Sequence, residues 1–185
     1  KHGSEEALAA LGCAHLANHP DGRILVGGLG MGFTLSEALR IVDDEAKVKV
    51  AELVPAVRDW NRDLLGGFAN HPLKDPRVEV EIADVADVLR SNPDTFDAIL
   101  LDVDNGPSGM TQDKNTWLYW PEGIAVVSKA LRPGGVVAVW SAYSDPAFHK
   151  RLVQQRFRVS EHQVGARGKS GGSKHFIWVA EKSKR

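Results

Sequence analysis

The stretch "RILVGGLGMGFTLSEALRI", residues 23–41, decides the fold of this chain. It begins with a short apolar run that predicts a buried strand, and it continues with apolar side chains at helical spacing over residues 32–41. Between the two, Gly28, Gly30 and Gly32 allow the backbone to turn sharply and to approach a ligand at the start of the helix. This order predicts a binding site at the carboxyl end of the strand.

The alternation of strand and helix continues along the chain. Strands alternating with helices indicate a parallel sheet that is covered on both faces. Strands are predicted at 23–29, 46–53, 77–84, 96–104 and 135–141, and helices at 4–17, 32–41, 55–65, 86–92, 122–131 and 145–156.

The end of the chain has a different pattern. Two strands, at 157–164 and 175–181, have no crossover helix between them, so they are expected to pair as an antiparallel hairpin. The predicted fold class is therefore α/β: a doubly wound, seven-stranded and mostly parallel sheet, with one antiparallel C-terminal strand at its edge.

Composition narrows the class of protein. The 185 residues are enough for one domain, and 43% apolar with 25% charged residues is typical of a soluble globular protein. A net charge of −1 argues against nucleic acid as the main partner, and a single cysteine excludes an internal disulfide framework or a cysteine-rich zinc site. The sequence contains no apolar run of membrane length and no signal-peptide pattern, so we expect no membrane partner and a cytoplasmic location.

Acidic residues end the second, third and fourth predicted strands. Glu52 lies 24 residues after Gly28, where a carboxylate can accept both hydroxyls of a ribose. Asp84 ends the next strand, in a position to meet the amino group of an adenine. Capping of the following helix is the alternative for both residues, but capping alone does not explain three acids at one edge.

The glycine spacing distinguishes between two kinds of ligand. A dinucleotide-binding turn normally reads G-x-G-x-x-G and places a phosphate at the helix terminus. Here the third glycine, Gly32, comes one residue early. The sequence therefore favours a nucleoside without phosphates, with a nicotinamide dehydrogenase as a distant alternative.

"ILLDVDNGP", residues 99–107, allows two interpretations. Asp, Asn, Gly and Pro are ordinary turn formers, so the stretch can be a surface turn. Alternatively, a buried strand delivers Asp102 and Asp104 to the edge of an active site. Two close carboxylates repel each other unless a cation lies between them, and this predicts an ammonium site with Asp102 as base and Asp104 as anchor.

Aromatic residues follow this acidic stretch. Trp117 and Tyr119 either pack on the sheet at the start of a helix or form an apolar wall over the pocket of an acceptor substrate. Both interpretations stay open at this point.

Five motifs, taken together and in order, resemble the class I S-adenosylmethionine-dependent transferases over residues 20–181. They are "VGGLGMG", "VAELVP", "IADVADVL", "FDAILLD" and "LRPGGVVAVW". Within that superfamily the chain most resembles the spermidine synthase family. The segments that carry this resemblance are "HPDGRILVGGLGMG", "DAILLDVDNGP" and "AFHKRL".

The resemblance implies a role for each candidate site residue. Glu52 would bind the ribose, Asp84 would meet the adenine, and the Gly28–Gly32 turn would face the sulfonium tail. Asp102 falls on the catalytic acid of the family, which orients and deprotonates the attacking amine.

Asp104 or Asn105 would then hold the amine substrate. The resemblance also implies S-adenosylmethionine or its decarboxylated form as co-substrate, no metal, and aminopropyl transfer to a small-molecule amine; a homodimer is compatible with it. Residues 1–185 would form one transferase domain, with the N-terminal β-hairpin domain of the family missing or truncated ahead of Lys1. A methyltransferase acting on a small molecule or a macromolecule, and a non-catalytic nucleoside-binding relative, are the alternatives.

Overall fold

The computed structural model describes residues 2–103, 116–166 and 172–184. Within these residues one sheet of seven strands forms the centre of the molecule. The strands are β1 (Arg23–Gly27), β2 (Lys47–Glu52), β3 (Val78–Ile82), β4 (Phe96–Leu101), β5 (Leu131–Ser141), β6 (Phe157–Gly165) and β7 (Lys174–Lys182).

Six α-helices lie against this sheet in the described part of the chain. They are α1 (Gly3–Cys13), α2 (Phe33–Ile41), α3 (Pro55–Asp63), α4 (Val85–Ser91), α5 (Pro121–Ala130) and α6 (Pro146–Gln154). Short 3-10 helices occur at Ala14–Leu16, Gly66–Ala69, Pro72–Lys74 and Thr116–Tyr119. Over the same described residues, none of the helices has the length and apolar character needed to cross a membrane.

The strand order is β3-β2-β1-β4-β5-β7-β6. Strands β1 to β5 pair in parallel, whereas β7 pairs antiparallel with both β5 and β6. The predicted seven-stranded α/β sheet and its antiparallel hairpin are confirmed. The expected edge position of the reversed strand is wrong, because β7 lies between β5 and β6 and so leaves β6 at the edge.

The two central strands bury both of their faces. Leu25 and Ile99 contact the apolar cluster beneath α4, α5 and α6, while Ile24 and Leu100 contact the cluster beneath α1, α2 and α3. All four side chains are 0% exposed. A strand buried in this way can present a polar side chain to ligand only at its end.

The strand before the C-terminal hairpin begins four residues earlier than the sequence predicted. Strand β5 starts at Leu131, directly after α5, rather than at residue 135. The pairing with β4 shifts register between Phe96 and Ala98, so the strand accommodates its Pro and Gly residues in an irregular segment. An ion pair of 3.0 Å between Arg132 and Asp97 connects the two strands at this irregularity.

Gly28 has the most restrictive environment in the glycine turn. Its φ of 87° lies in the left-handed region, and a Cβ at this position would come 2.3 Å from the carbonyl oxygen of Asp102. Gly30 also has a positive φ, of 50°, but a Cβ there would have no atom within 4 Å. The close approach of the turn to β4 therefore requires glycine at residue 28.

We expect Gly28→Ala to lower the free energy of unfolding by about 2–4 kcal/mol, because it adds a steric clash to left-handed backbone strain. Gly30→Ala, the matched control, adds strain alone and should cost about 1 kcal/mol. Urea unfolding of both variants measures the difference. Equal losses in the two variants would contradict the close approach of Gly28 to β4.

Candidate functional site at the carboxyl edge of the sheet

Parallel pairing places three chain segments at the same level of the sheet. Gly27 is opposite Ala51 of β2 and opposite Leu101 of β4. The residues that follow these three, Gly28, Glu52 and Asp102, therefore emerge together at the carboxyl edge. The structure thus brings the glycine turn, the predicted ribose ligand and the predicted base to one place.

Glu52 joins two loops through its carboxylate. One oxygen, Oε2, accepts a hydrogen bond of 2.9 Å from the N–H of Leu29, and the other, Oε1, accepts one of 2.8 Å from the N–H of Val54. The side chain is 7% exposed. Each carboxylate oxygen has a second lone pair, so Glu52 can hold the glycine turn and still accept a ligand hydroxyl.

The glycine turn is fixed from its other side by Asn61. The Nδ2 group of this α3 residue donates hydrogen bonds of 2.8 Å to the carbonyl of Gly30 and of 2.9 Å to the carbonyl of Val57. Asn61 is 1% exposed. Asn61 was not among the residues predicted from the sequence; the available signal was a polar residue one helical turn after Val57, on the buried side of the helix.

Asp84 caps a helix, which was the alternative interpretation of this residue. It is the N-cap of α4, and its Oδ1 accepts a hydrogen bond of 2.9 Å from the N–H of Ala86. Capping occupies Oδ1 and does not conflict with a ligand contact at the second oxygen. The adenine role of Asp84 stays a prediction.

Asp102 follows β4 and is partly buried. Its Oδ2 accepts a hydrogen bond of 2.9 Å from the hydroxyl of Thr34, the second residue of α2. Burial is the main cause that raises the pKa of Asp102, to about 6; the Thr34 hydrogen bond opposes the rise, and the negative charge of Glu5 adds to it. A carboxylate with this pKa is a stronger base than an exposed aspartate and is still ionised at neutral pH.

The first turn of α1 also reaches this edge. The ring of His2 stacks on Phe33 with centroids 3.2 Å apart, and the carbonyl of Glu5 lies 3.5 Å from the Thr34 hydroxyl. The side chain of Glu5 is partly buried and accepts a hydrogen bond of 2.7 Å from Ser4. The position of α1 at the site was not predicted, because local sequence patterns do not show which distant segments pack together.

The two predicted aromatic residues lie in the apolar cluster beneath α4, α5 and α6. Tyr119 is 3% exposed and contacts Phe148 edge-to-face, and Trp117 lies under the guanidinium of Arg90. These contacts agree with packing on the sheet, and a contact with an acceptor substrate stays a prediction.

Asp104 and Asn105 lie outside the described residues. Among the residues that are described, no group of three His, Cys, Asp or Glu side chains is placed to hold a metal ion. Among the described residues, the carboxyl edge thus brings together the glycine turn, the buried carboxylate of Glu52 and the partly buried carboxylate of Asp102.

Solved structures share this architecture. The spermidine synthase of Thermotoga maritima superposes with a TM-score of 0.75 at 22% identity, over 100% of this chain and 61% of that one. An O-methyltransferase of Bacillus cereus in complex with SAH gives a TM-score of 0.66 at 20% identity, over 96% of this chain and 80% of that one. These likenesses concern the fold and confirm the class I transferase architecture.

Curated relatives are similar in sequence over part of their length. Putrescine N-methyltransferase 2 of Nicotiana tabacum is 36% identical over 116 residues, which are 62% of this chain and 31% of the relative. Polyamine aminopropyltransferase of Mycobacterium tuberculosis is 36% identical over 135 residues, 70% of this chain and 25% of the relative. The chain thus spans less than a third of the length of each of these two relatives.

The family model described as the spermine/spermidine synthase domain matches residues 2–166, most of the chain. The match includes the glycine turn and the three acidic strand ends described above. The predicted resemblance is therefore confirmed, and the chain belongs to the spermine/spermidine synthase domain family.

Proposed function

We propose that this chain is an aminopropyltransferase that moves the aminopropyl group of decarboxylated S-adenosylmethionine to a small-molecule amine. The observation that carries the proposal is the position of Asp102, a partly buried carboxylate at the same sheet level as Glu52 and the glycine turn. This arrangement supports a role for Asp102 as a base beside the tail of a bound nucleoside.

In this proposal Glu52 binds the ribose hydroxyls and Asp84 meets the adenine. The left-handed backbone at Gly28, Gly30 and Gly32 lets the chain pass close to the sulfonium tail. Asp104 or Asn105 holds the amine, and Trp117 and Tyr119 border the acceptor pocket. Because the electrophile is already a cation, the protein contributes mainly position and charge complementarity.

Asp102 acts on the amine nitrogen. A primary amine has a pKa of about 10 and is protonated at neutral pH, so it must lose a proton before it can attack. One N–H bond breaks as the proton passes to the carboxylate of Asp102. The free electron pair of the nitrogen then forms the new C–N bond, while the C–S bond breaks and its electrons stay on sulfur as a neutral thioether.

Charge favours the decarboxylated co-substrate. The turn "GGLGMG" at 27–32 contains no basic residue that could pair with the carboxylate of methionine. Glu5 and Asp102 make the neighbouring edge acidic, and like charges repel. A cationic aminopropyl tail therefore interacts more favourably with this acidic edge than a zwitterionic methionine tail does.

Methyl transfer from S-adenosylmethionine to an amine is the second candidate. The similarity to putrescine N-methyltransferase 2 of Nicotiana tabacum favours it. The two candidates share the nucleoside site and the base; they differ in the tail of the co-substrate and in which C–S bond of the sulfonium breaks. A homodimer and a cytoplasmic location stay predictions.

Glu52→Gln should weaken the binding of methylthioadenosine by about 1.5–3 kcal/mol, or roughly 10- to 100-fold. The amide replaces one acceptor oxygen with a donor, so a contact to the turn or to the ribose is lost. Calorimetry measures the affinity. Glu79→Gln is the matched control, since this acid of β3 is 72% exposed and pairs with Lys49 at the surface. An unchanged affinity in Glu52→Gln would remove the ribose role.

Asp102→Asn should lower kcat/KM for transfer to putrescine by about 10²- to 10⁴-fold, while the affinity for methylthioadenosine stays within about twofold. In the parent protein the carboxylate is the active form, so kcat/KM should fall about tenfold for each pH unit below a pKa of about 6. Steady-state rates from pH 5 to 8 check both expectations.

The same assay distinguishes the two candidate reactions when it compares S-adenosylmethionine with its decarboxylated form. Asp87→Asn is the control, because this acid of α4 is 71% exposed and pairs with Arg90. Transfer by Asp102→Asn at the parent rate would reduce Asp102 to a turn residue. Exclusive use of S-adenosylmethionine would replace aminopropyl transfer with methyl transfer.

A further inference from the structure

Thr34 contacts Asp102, the proposed base. It is the second residue of α2 and is 3% exposed. Its Oγ1 donates a hydrogen bond of 2.9 Å to Oδ2 of Asp102. A buried hydroxyl that donates to a partly buried carboxylate affects both the orientation and the protonation of that carboxylate.

The glycine turn fixes where this hydroxyl lies. Gly32, in the left-handed conformation, is the N-cap of α2, so the first turn of the helix begins beside β4. The hydroxyl has a second acceptor, the carbonyl of Glu5, at the longer distance of 3.5 Å. One hydroxyl carries one proton, and the shorter, charge-assisted bond to Asp102 is the stronger of the two.

We propose, on the basis of the amine transferase proposed above, that Thr34 is a positioning residue that occupies Oδ2 of Asp102 and leaves Oδ1 to meet the acceptor amine. A carboxylate held at one oxygen loses its freedom to rotate away from the incoming nitrogen. The proton then moves from that nitrogen to Oδ1: one N–H bond breaks and one O–H bond forms.

Thr34 also sets the pH at which Asp102 titrates. Its hydrogen bond stabilises the charged form, whereas burial and the negative charge of Glu5 on α1 favour the neutral form. On the same side, His2 stacks on Phe33, the residue next to Thr34. Removal of the hydroxyl leaves the two opposing influences in place, so the pKa of Asp102 should rise.

Thr34→Val tests this, because valine keeps the shape of the side chain and removes the hydroxyl. The readout is the ¹³C chemical shift of the Asp102 carboxyl carbon against pH, with methylthioadenosine bound. Its signal is identified by its loss in Asp102→Asn. We expect the midpoint to rise by about one pH unit, and the acid limb of kcat/KM to move by the same amount. Thr34→Ser should return both to near the parent values.

Ser36→Ala is the control, since it removes another hydroxyl from α2 and should leave the midpoint unchanged. A midpoint in Thr34→Val equal to that of the parent would overturn the proposal. Thr34→Ala replaces valine if that variant does not fold, with the same expectation. If neither folds while Thr34→Ser does, the hydroxyl serves the fold and the positioning role is overturned.

The NMR midpoint does not depend on turnover. If the parent protein transfers nothing to amines but Thr34→Val shows the shifted midpoint, the proposed function is contradicted and the contact between Thr34 and Asp102 is retained. If the parent protein transfers to amines normally but the midpoint in Thr34→Val is unshifted, the proposed function stands and the positioning role of Thr34 is overturned.

Discussion

The site depends on the parallel register of β1 with its two neighbours. Because Gly27 is opposite both Ala51 and Leu101, the next residue of each strand emerges at the same height. The hydrogen-bond ladder continues past the strand ends. The N–H of Gly28 donates to the carbonyl of Ala51 and the N–H of Asp102 donates to the carbonyl of Gly27, each at 2.9 Å. A slip of one residue would turn the acidic side chains to another face and separate them.

Burial of the proposed base has a cost to the fold. With a folded pKa of about 6, against about 3.9 in an unfolded chain, Asp102 binds more protons when folded between pH 4 and 6. Its contribution to stability is therefore full below pH 4 and is lost as pH rises through 6. The proposed transfer requires the ionised form, so the protein would work at a pH where this residue destabilises the fold. The Thr34 hydrogen bond offsets part of that cost.

Local patterns predicted most of the fold and the acidic edge. The strand and helix periods, the glycine turn and the acids at strand ends are properties of short stretches, and the structure confirms where they lie. Asn61, Thr34 and Glu5 were missed because their roles come from contacts between segments 29 to 68 residues apart. The predicted edge position of the reversed strand was wrong for the same reason, since sequence order does not show that β7 lies between β5 and β6.

In the proposed site, the carboxyl edge of the sheet binds a nucleoside through Glu52 and presents the tail of that nucleoside to Asp102. The most direct measurement is a crystal structure with an inhibitor that joins an adenosine thioether to a diamine. We expect ribose hydroxyls on the Glu52 carboxylate and an amine nitrogen about 3 Å from Oδ1 of Asp102. A bound inhibitor whose amine points away from Asp102, or whose ribose does not contact Glu52, would contradict it.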